Sequence, residues 1–179
     1  SVGNRTSATD ANANHTTYQY DAMGRVSRQT NPDGGVVQYA YDGSGNESSV
    51  TDPRGNVTTK EYDSGDRLKR QTNPDGGKVD HVLDAEGNRI ATKDPSGGVT
   101  QLAYDKLNRV TRVEGPVGAV TQYAYDQAGR RISETDALGG VKRTEYDAVG
   151  RVVKQIDALG NATEQGYDAA ARQTWTKDA

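Results

Sequence analysis

Every 21 residues this chain returns to a Tyr-Asp pair. The pairs are Tyr20-Asp21, Tyr41-Asp42, Tyr62-Asp63, Tyr104-Asp105, Tyr125-Asp126, Tyr146-Asp147 and Tyr167-Asp168. One step, from Tyr62 to Tyr104, is 42 residues long. The missing member is Leu83-Asp84, which keeps the acid and replaces Tyr by another large apolar residue. No insertion breaks the register. Such a period marks a repeat architecture, in which each unit is one supersecondary element stacked on its neighbours.

A second column follows eleven residues behind each Tyr. It reads Asn31-Pro32-Asp33-Gly34, Asp52-Pro53-Arg54-Gly55, Asn73-Pro74-Asp75-Gly76 and Asp94-Pro95-Ser96-Gly97. It then drifts to Gly115-Pro116-Val117-Gly118, Asp136-Ala137-Leu138-Gly139 and Asp157-Ala158-Leu159-Gly160. Gly holds the fourth place throughout these seven, whereas Pro is lost in the last two. The N-terminal fragment keeps the register, since Gly3-Asn4-Arg5 aligns with Gly87-Asn88-Arg89 and Tyr18 aligns with Tyr39 and Tyr123.

Both columns spell turns. In Asp/Asn-Pro-x-Gly the acid or amide opens a β-turn, Pro presets φ at the next position and Gly accepts a positive φ. Asp-x-x-Gly after each Tyr is a second turn, as in Asp21 to Gly24, Asp126 to Gly129 and Asp147 to Gly150. Its fourth place becomes Asp66 and Asn108 in two repeats, residue types that also tolerate the left-handed region. Ala171 holds that place in the final repeat, so the final turn is expected to differ or fray.

Between turns lie segments of about six residues rich in Val, Thr, Tyr, Gln and Arg, the ordinary length of a strand. Turn, strand, turn, strand within 21 residues predicts one β-hairpin per repeat and no helix. Three or four apolar side chains per hairpin are too few to offset its ordering entropy, so stability must come from lateral continuation of the sheet. The expected fold is all-β: tandem antiparallel hairpins zipped into one long twisted and curled sheet. Residues 1–179 form a single array of about eight repeats, cut within a repeat at both ends. The alternative is a parallel β-solenoid with one coil per repeat.

A finer rhythm runs through the sixth residue after Tyr: Val26, Glu47, Leu68, Arg89, Val110, Arg131, Val152 and Gln173. Apolar and polar alternate, and Ile90 and Ile132 follow the polar members Arg89 and Arg131. A one-residue shift flips a strand's faces, so two alternating hairpin variants are expected.

Only 32% of residues are hydrophobic, Phe is absent, and the mean hydropathy is -0.92. That composition suits a disordered chain, yet the ten Tyr and 21 Gly are placed with strict order. Net charge is -3 with signs interleaved, and no basic patch points to nucleic acid. Cysteine is absent, which removes disulfides and thiolate metal sites. No apolar run is long enough for a membrane span.

No residue set calls for a catalytic or cofactor site. A row of Asp carboxylates suggests calcium, but calcium β-rolls use a nonapeptide Gly-Gly-x-Gly-x-Asp pattern, and one Asp per Asp-x-x-Gly turn is explained by turn capping. His15 and His81 stand in different columns of distant repeats without a paired partner, so neither metal nor general-base chemistry is expected of them. No Gly-x-Ser-x-Gly elbow occurs, and Gly34-Gly35 and Gly97-Gly98 belong to hairpin turns, with no helix following to cradle a phosphate. The Tyr column is expected to pack one sheet face and pin register, joined by Tyr18, Tyr39 and Tyr123 two residues earlier. An exposed aromatic strip that binds sugars is the competing reading.

The consensus Tyr-Asp-x-x-Gly-Arg-Val, then Thr-Asp-Pro-x-Gly, then Val-Thr, resembles the YD repeat of the Rhs family, with clear copies at Tyr20 to Thr30 and Tyr125 to Thr135. The resemblance covers essentially the whole chain. That family includes bacterial Rhs polymorphic toxins, wall-associated proteins, the cocoon component of Tc toxins, and teneurins. It implies a β-strip spiralling into a hollow shell, which in the toxin members encloses a C-terminal toxic domain. The acidic self-cleaving site and variable toxin that follow the repeats in those members are not seen here. Asp52-Pro53-Arg54-Gly55 shares letters with the cleavage region but sits in an ordinary repeat column.

The sequence thus points to a non-enzymatic wall segment of a secreted or surface-exposed bacterial protein, without cofactor or metal. Its expected partners are the rest of its parent chain and a C-terminal toxin cargo, with secretion components or glycans as further candidates. An extended adhesin that binds glycans is the alternative.

Overall fold

The computed structural model describes residues 3–178; Ser1, Val2 and Ala179, the outermost positions of the expected array, lie outside the described residues. Among the described residues there are seventeen strands and no helix. The chain divides into two compact units, Ser1–Gly97 and Gly98–Ala179.

In the first unit the strands are β1 (Ser7–Thr9), β2 (His15–Tyr20), β3 (Val26–Thr30), β4 (Val36–Tyr41), β5 (Glu47–Thr51), β6 (Val57–Tyr62), β7 (Leu68–Thr72), β8 (Lys78–Leu83) and β9 (Arg89–Lys93). Each pairs antiparallel with the next in sequence. In the second unit they are β10 (Val99–Tyr104), β11 (Val110–Glu114), β12 (Val120–Tyr125), β13 (Arg131–Thr135), β14 (Val141–Tyr146), β15 (Val152–Ile156), β16 (Ala162–Tyr167) and β17 (Gln173–Asp178). These too pair antiparallel in chain order. Each unit is therefore a hairpin meander. The parallel solenoid is excluded, because its neighbouring strands would run in the same direction.

Both kinds of turn close in the same way. Asp21 N–H donates to Arg25 carbonyl at 2.9 Å and Gly24 N–H donates to Asp21 carbonyl at 3.0 Å. At the other end Asn31 N–H donates to Gly35 carbonyl at 2.8 Å and Gly34 N–H to Asn31 carbonyl at 2.9 Å. This is the bonding of a three-residue hairpin loop whose last residue lies in the left-handed region. The required positive φ is met by Gly24 at 81° and Gly34 at 82°. Ala171 adopts 62° and keeps both bonds, so the last turn does not differ from the others as expected. The sheet dictates the loop and the alanine bears the strain. Ala13, at 62°, occupies the Gly column in the turn between β1 and β2, an exception to the glycine rule that the sequence reading passed over.

All eight hairpins closed by the Asp-x-x-Gly turn share one register, so the expected two alternating variants do not exist. In each, the residue pair before the turn is offset by a β-bulge: Gln19 faces Arg28 while Tyr20 faces Val26, which leaves Ser27 as the extra residue. The extra residues elsewhere are Ser48, Lys69, Ile90, Thr111, Ile132, Val153 and Thr174. A bulge sets two residues opposite one partner. The sixth or the seventh residue after Tyr can therefore carry the apolar group opposite the Tyr position without flipping the strand. That freedom produced the apparent rhythm.

Among the described residues none is buried, and the exposed area is 11822 Å². A compact monomer of this mass exposes about 8,400 Å². The sheet has two open faces. Along β2, Thr16, Tyr18 and Tyr20 are half-buried while His15, Thr17 and Gln19 are exposed. In β6, Thr58, Lys60 and Tyr62 are half-buried on the same face, and Val57, Thr59 and Glu61 are exposed. Packing along these strands is thus concentrated on the face that carries the tyrosines, as it is along β10 of the second unit, where Thr100, Leu102 and Tyr104 are half-buried.

Candidate functional site

Where it is complete, the Tyr-Asp-x-x-Gly-Arg signature folds into a clasp that ties one hairpin to the next within a unit. The aspartate organises its own turn first. Asp21 Oδ1 accepts the N–H groups of Met23 at 2.9 Å and Arg25 at 3.0 Å, and its Oδ2 accepts Arg25 Nε at 2.7 Å. The Nε contact recurs from Arg67 to Asp63 at 2.8 Å, Arg109 to Asp105 at 2.7 Å and Arg130 to Asp126 at 2.7 Å. It recurs again from Arg151 to Asp147 at 2.6 Å and Arg172 to Asp168 at 2.8 Å. Asp42 and Asp84 instead hold the amides of Asn46 at 3.2 Å and Asn88 at 3.0 Å. Hydrogen bonds to the ionised form hold these carboxyls below the usual range. The Arg67 side chain brings Asp63 down to about 2. The Arg109 side chain also lowers Asp105, and the backbone N–H groups of Arg130 and Arg151 lead in lowering Asp126 and Asp147.

The arginine, fixed at its base, then reaches forward. Its guanidinium lies over the ring of the following tyrosine: Arg25 over Tyr41 at 4.2 Å from the ring centre, Arg109 over Tyr125 at 4.6 Å, Arg130 over Tyr146 at 4.7 Å and Arg151 over Tyr167 at 4.6 Å. Nη1 donates to the carbonyl of the next aspartate, from Arg67 to Asp84 at 3.4 Å, Arg109 to Asp126 at 3.3 Å, Arg130 to Asp147 at 3.2 Å and Arg151 to Asp168 at 3.3 Å.

The tyrosine completes the tie by reaching back. Its hydroxyl donates to the carbonyl fifteen residues earlier: Tyr41 to Val26 at 2.8 Å, Tyr62 to Glu47 at 3.0 Å, Tyr125 to Val110 at 2.8 Å, Tyr146 to Arg131 at 3.0 Å and Tyr167 to Val152 at 2.8 Å. Tyr20 reaches Arg5 in the same way at 2.6 Å. Burial raises the Tyr41 phenol above its ordinary value. The hydrogen bond contributes about 0.5–1.5 kcal/mol and the cation–π contact about 0.5–1 kcal/mol at such an exposed site. Tyr104 ends β10 at the equivalent position, and Leu83, at the end of β8, offers neither ring nor hydroxyl.

At the other end of the hairpins the glycine column takes positive φ throughout: Gly34, Gly55, Gly76, Gly97, Gly118, Gly139 and Gly160 lie between 78° and 92°. Two capping chemistries share this end. Asp52 Oδ2 accepts Asn56 Nδ2 at 2.7 Å, and Asp157 accepts Asn161 at 2.8 Å. Where Asn opens the turn, the third residue caps instead: Asp33 Oδ1 accepts Gly35 N–H and Asp75 Oδ1 accepts Gly77 N–H, each at 2.9 Å. A Cβ at Gly35 would lie 3.2 Å from the Pro53 ring, and one at Gly77 would lie 3.0 Å from that of Pro95. The second glycine of these pairs is crowded from two sides, by the capping aspartate of its own turn, 3.0 Å from such a Cβ at either position, and by the next repeat's proline.

His15 and His81 meet threonines directly across the strand pair, His15 Nδ1 with Thr9 Oγ1 at 2.9 Å and His81 Nδ1 with Thr92 Oγ1 at 3.1 Å. Tyr123 sits 5.3 Å from the Arg131 guanidinium. Sequence reasoning quoted the arginine in the consensus without giving it a task, although its recurrence at Arg25, Arg67, Arg109, Arg130, Arg151 and Arg172 was open to view. It also passed over Trp175, whose indole covers Gly166 directly opposite in β16.

The RHS repeat family matches residues 1–36, 24–57, 41–78, 84–118, 104–141 and 146–179. The chain belongs to the RHS repeat family. No curated protein sequence matches it. Among solved structures, its RHS repeats are similar to TcdB2-TccC3-Cdc42, with a TM-score of 0.65 at 17% identity over 91% of this chain and 11% of that one. TcdB2-TccC3-TEV gives 0.64 at 16% identity, again over 91% and 11%. TcdB2-TccC3 without its hypervariable C-terminal region gives 0.65 at 16% identity with the same coverage. The chain thus shares their repeat fold and spans about a ninth of their length. It is a structural RHS repeat segment.

Proposed function

We propose that this RHS array, taken as a single run over residues 1–179, is a length of wall in a secreted bacterial protein, and that the wall encloses a C-terminal effector until delivery. The Tyr, Asp and Gly columns are its structural determinants rather than sites of chemistry. The observation that carries this reading is the clasp. Its tyrosine hydroxyl ties hairpin to hairpin in both units, reinforced by the arginine most fully at Tyr125, Tyr146 and Tyr167, so sheet can be added repeat by repeat without a core. A sheet with two open faces and no buried residue among those described suits a wall and offers no enclosed site for catalysis.

Two findings support larger partners. The turn tips Val117, Leu138 and Leu159 are 91%, 97% and 88% exposed at one end of the second unit's hairpins, an apolar ridge that the rest of the parent chain would cover. One similar structure is described as lacking a hypervariable C-terminal region, and the reading carries such a variable C-terminal piece over to the parent of this chain. The sugar-binding reading is disfavoured, because arginines already occupy a ring face of Tyr41, Tyr125, Tyr146 and Tyr167.

The test is limited proteolysis of the full parent protein. Its C-terminal segment should resist digestion while the repeats are intact and become cleavable when Tyr125→Leu and Tyr146→Leu loosen two clasps. Equal digestion of that segment inside the intact parent and as a free polypeptide would overturn the enclosure.

A further inference from the structure

We infer that the outer edge of β17 is a docking site for a free strand of the RHS type supplied by a second polypeptide, and that Arg172 recognises the tyrosine at the end of that strand. The turn before β17 carries the arginine half of a clasp. Asp168 accepts the Arg172 N–H at 2.9 Å and its Nε at 2.8 Å, as Asp147 does for Arg151 at 2.9 Å and 2.6 Å. Arg151 lies over the ring of Tyr167, whereas no ring among the described residues of the second unit lies beneath Arg172. The Arg172 side chain is 80% exposed, against 27%, 25%, 32% and 30% for Arg25, Arg109, Arg130 and Arg151 above their rings. β17 is exposed along its whole length, and among the described residues of its unit it pairs with β16 alone.

The repeat defines what fits there. β15 receives β16 through the pairs Lys154↔Glu164, Gln155↔Thr163 and Ile156↔Ala162. In β17 the same places belong to Trp175, Thr176 and Lys177, because Gly166↔Trp175 and Tyr167↔Gln173 repeat the pairs Glu145↔Lys154 and Tyr146↔Val152. An antiparallel strand added at this edge therefore sets its first three residues against Lys177, Thr176 and Trp175. A tyrosine at its sixth position, the place of Tyr167 in β16, then comes beneath Arg172. Its hydroxyl meets the Gln173 carbonyl as that of Tyr167 meets the Val152 carbonyl. Main-chain hydrogen bonds supply the affinity of such strand addition, and side-chain contacts supply its selectivity. Arg172 is already fixed at its base, so little ordering remains to be done on binding. A folded second copy is a poor donor. Its Tyr-ended strands β2, β4, β6, β12, β14 and β16 are paired on both edges, and its β1 ends in Thr9. The occupant is an RHS strand not yet held in a sheet.

The test is a titration of the isotope-labelled 179-residue chain with an end-blocked peptide of residues 141–147, which ends in Tyr146-Asp147, followed by Trp175 emission and by amide shifts in NMR spectra. Saturable changes should centre on residues 172–177. The Tyr146→Phe peptide should bind about fivefold more weakly from loss of the hydroxyl's hydrogen bond, and the Tyr146→Leu peptide about thirtyfold from loss of the ring as well. Arg172→Gln in the chain should weaken the Tyr peptide severalfold and remove the preference for Phe over Leu, whereas Arg25→Gln, in the other unit, should leave binding unchanged. Without peptide the chain should sediment as a monomer, and dimers that bury Trp175 would give the edge to a second copy and overturn the proposal. Equal affinity for the Tyr and Leu peptides, shifts spread evenly over all repeats, or binding unchanged in Arg172→Gln would each defeat it too. The inference rests on the clasp alone, so none of these results bears on whether the wall encloses a cargo.

Discussion

The clasp at Tyr167 can be dismantled one contact at a time, and the protein carries its own reporter beside it. Tyr167 ends β16, and the only tryptophan of the sequence, Trp175, stands opposite Gly166 in β17. Tyr167→Phe removes the hydroxyl that donates to Val152 carbonyl at 2.8 Å and keeps the ring under Arg151. That hydrogen bond contributes about 1 kcal/mol. In a repeat array, stability is a sum of units and nearest-neighbour interfaces, and a terminal unit opens most easily. The loss should therefore appear first as opening of the β16–β17 hairpin. About 1 kcal/mol corresponds to roughly fivefold faster hydrogen exchange for the β17 amides that bond β16. Tyr167→Leu, which copies the natural change at Leu83, also removes the ring and should bring the total to about 2 kcal/mol, or roughly thirtyfold. Arg151→Ala combined with Tyr167→Leu should show coupling of about 0.5–1 kcal/mol in a double-mutant cycle. Trp175 fluorescence should follow the same order. Wild-type exchange rates in Tyr167→Phe, or additivity within about 0.2 kcal/mol, would refute the clasp as an interaction between repeats.

Ala171→Gly should relieve the left-handed strain at φ 62° and stabilise the last turn by about 1 kcal/mol, read as a rise in the urea midpoint of the Trp175 signal. Gly77→Val should destabilise by about 1–3 kcal/mol through collision with Pro95, and Pro95→Gly should restore part of the loss; an additive pair would exclude the contact. Acid should weaken the fold in a defined window. The turn aspartates are held below their unfolded value of about 3.9, so their contribution is complete above that pH and disappears as pH falls through the folded values, to about 2 for Asp63. Thermal midpoints should be flat from about pH 5 to neutrality and drop between about pH 4 and 2, with a smaller drop in Asp63→Asn.

The path from sequence to fold was short because turn chemistry is local. Asp21 to Gly24 and Asn31 to Gly34 state their loops in four letters each, and strands of five or six residues leave nowhere else for the chain to go. The reading failed where the deciding contact lay outside the repeat. Alternation at Val26, Glu47 and Leu68 suggested a change of register, but the bulge opposite each Tyr position absorbs it. The second glycine of Gly34-Gly35 was read only as part of a hairpin turn, and the proline eighteen residues ahead that helps to crowd it could not be seen from the turn alone. Arginine in the consensus carried no meaning until its two ends were seen, one on Asp21 and the other over Tyr41.

By itself the sequence determined the period, the two bends per unit and the all-β class, since each rests on backbone preferences within a few residues. The turns also predicted the antiparallel pairing that the structure shows, whereas only the tertiary structure decided that one register serves all eight hairpins and that Tyr, Asp and Arg from successive repeats close on one another. Those outcomes depend on groups fifteen to twenty residues apart, brought together when strands pair edge to edge, and a period repeats such groups without saying which of them meet.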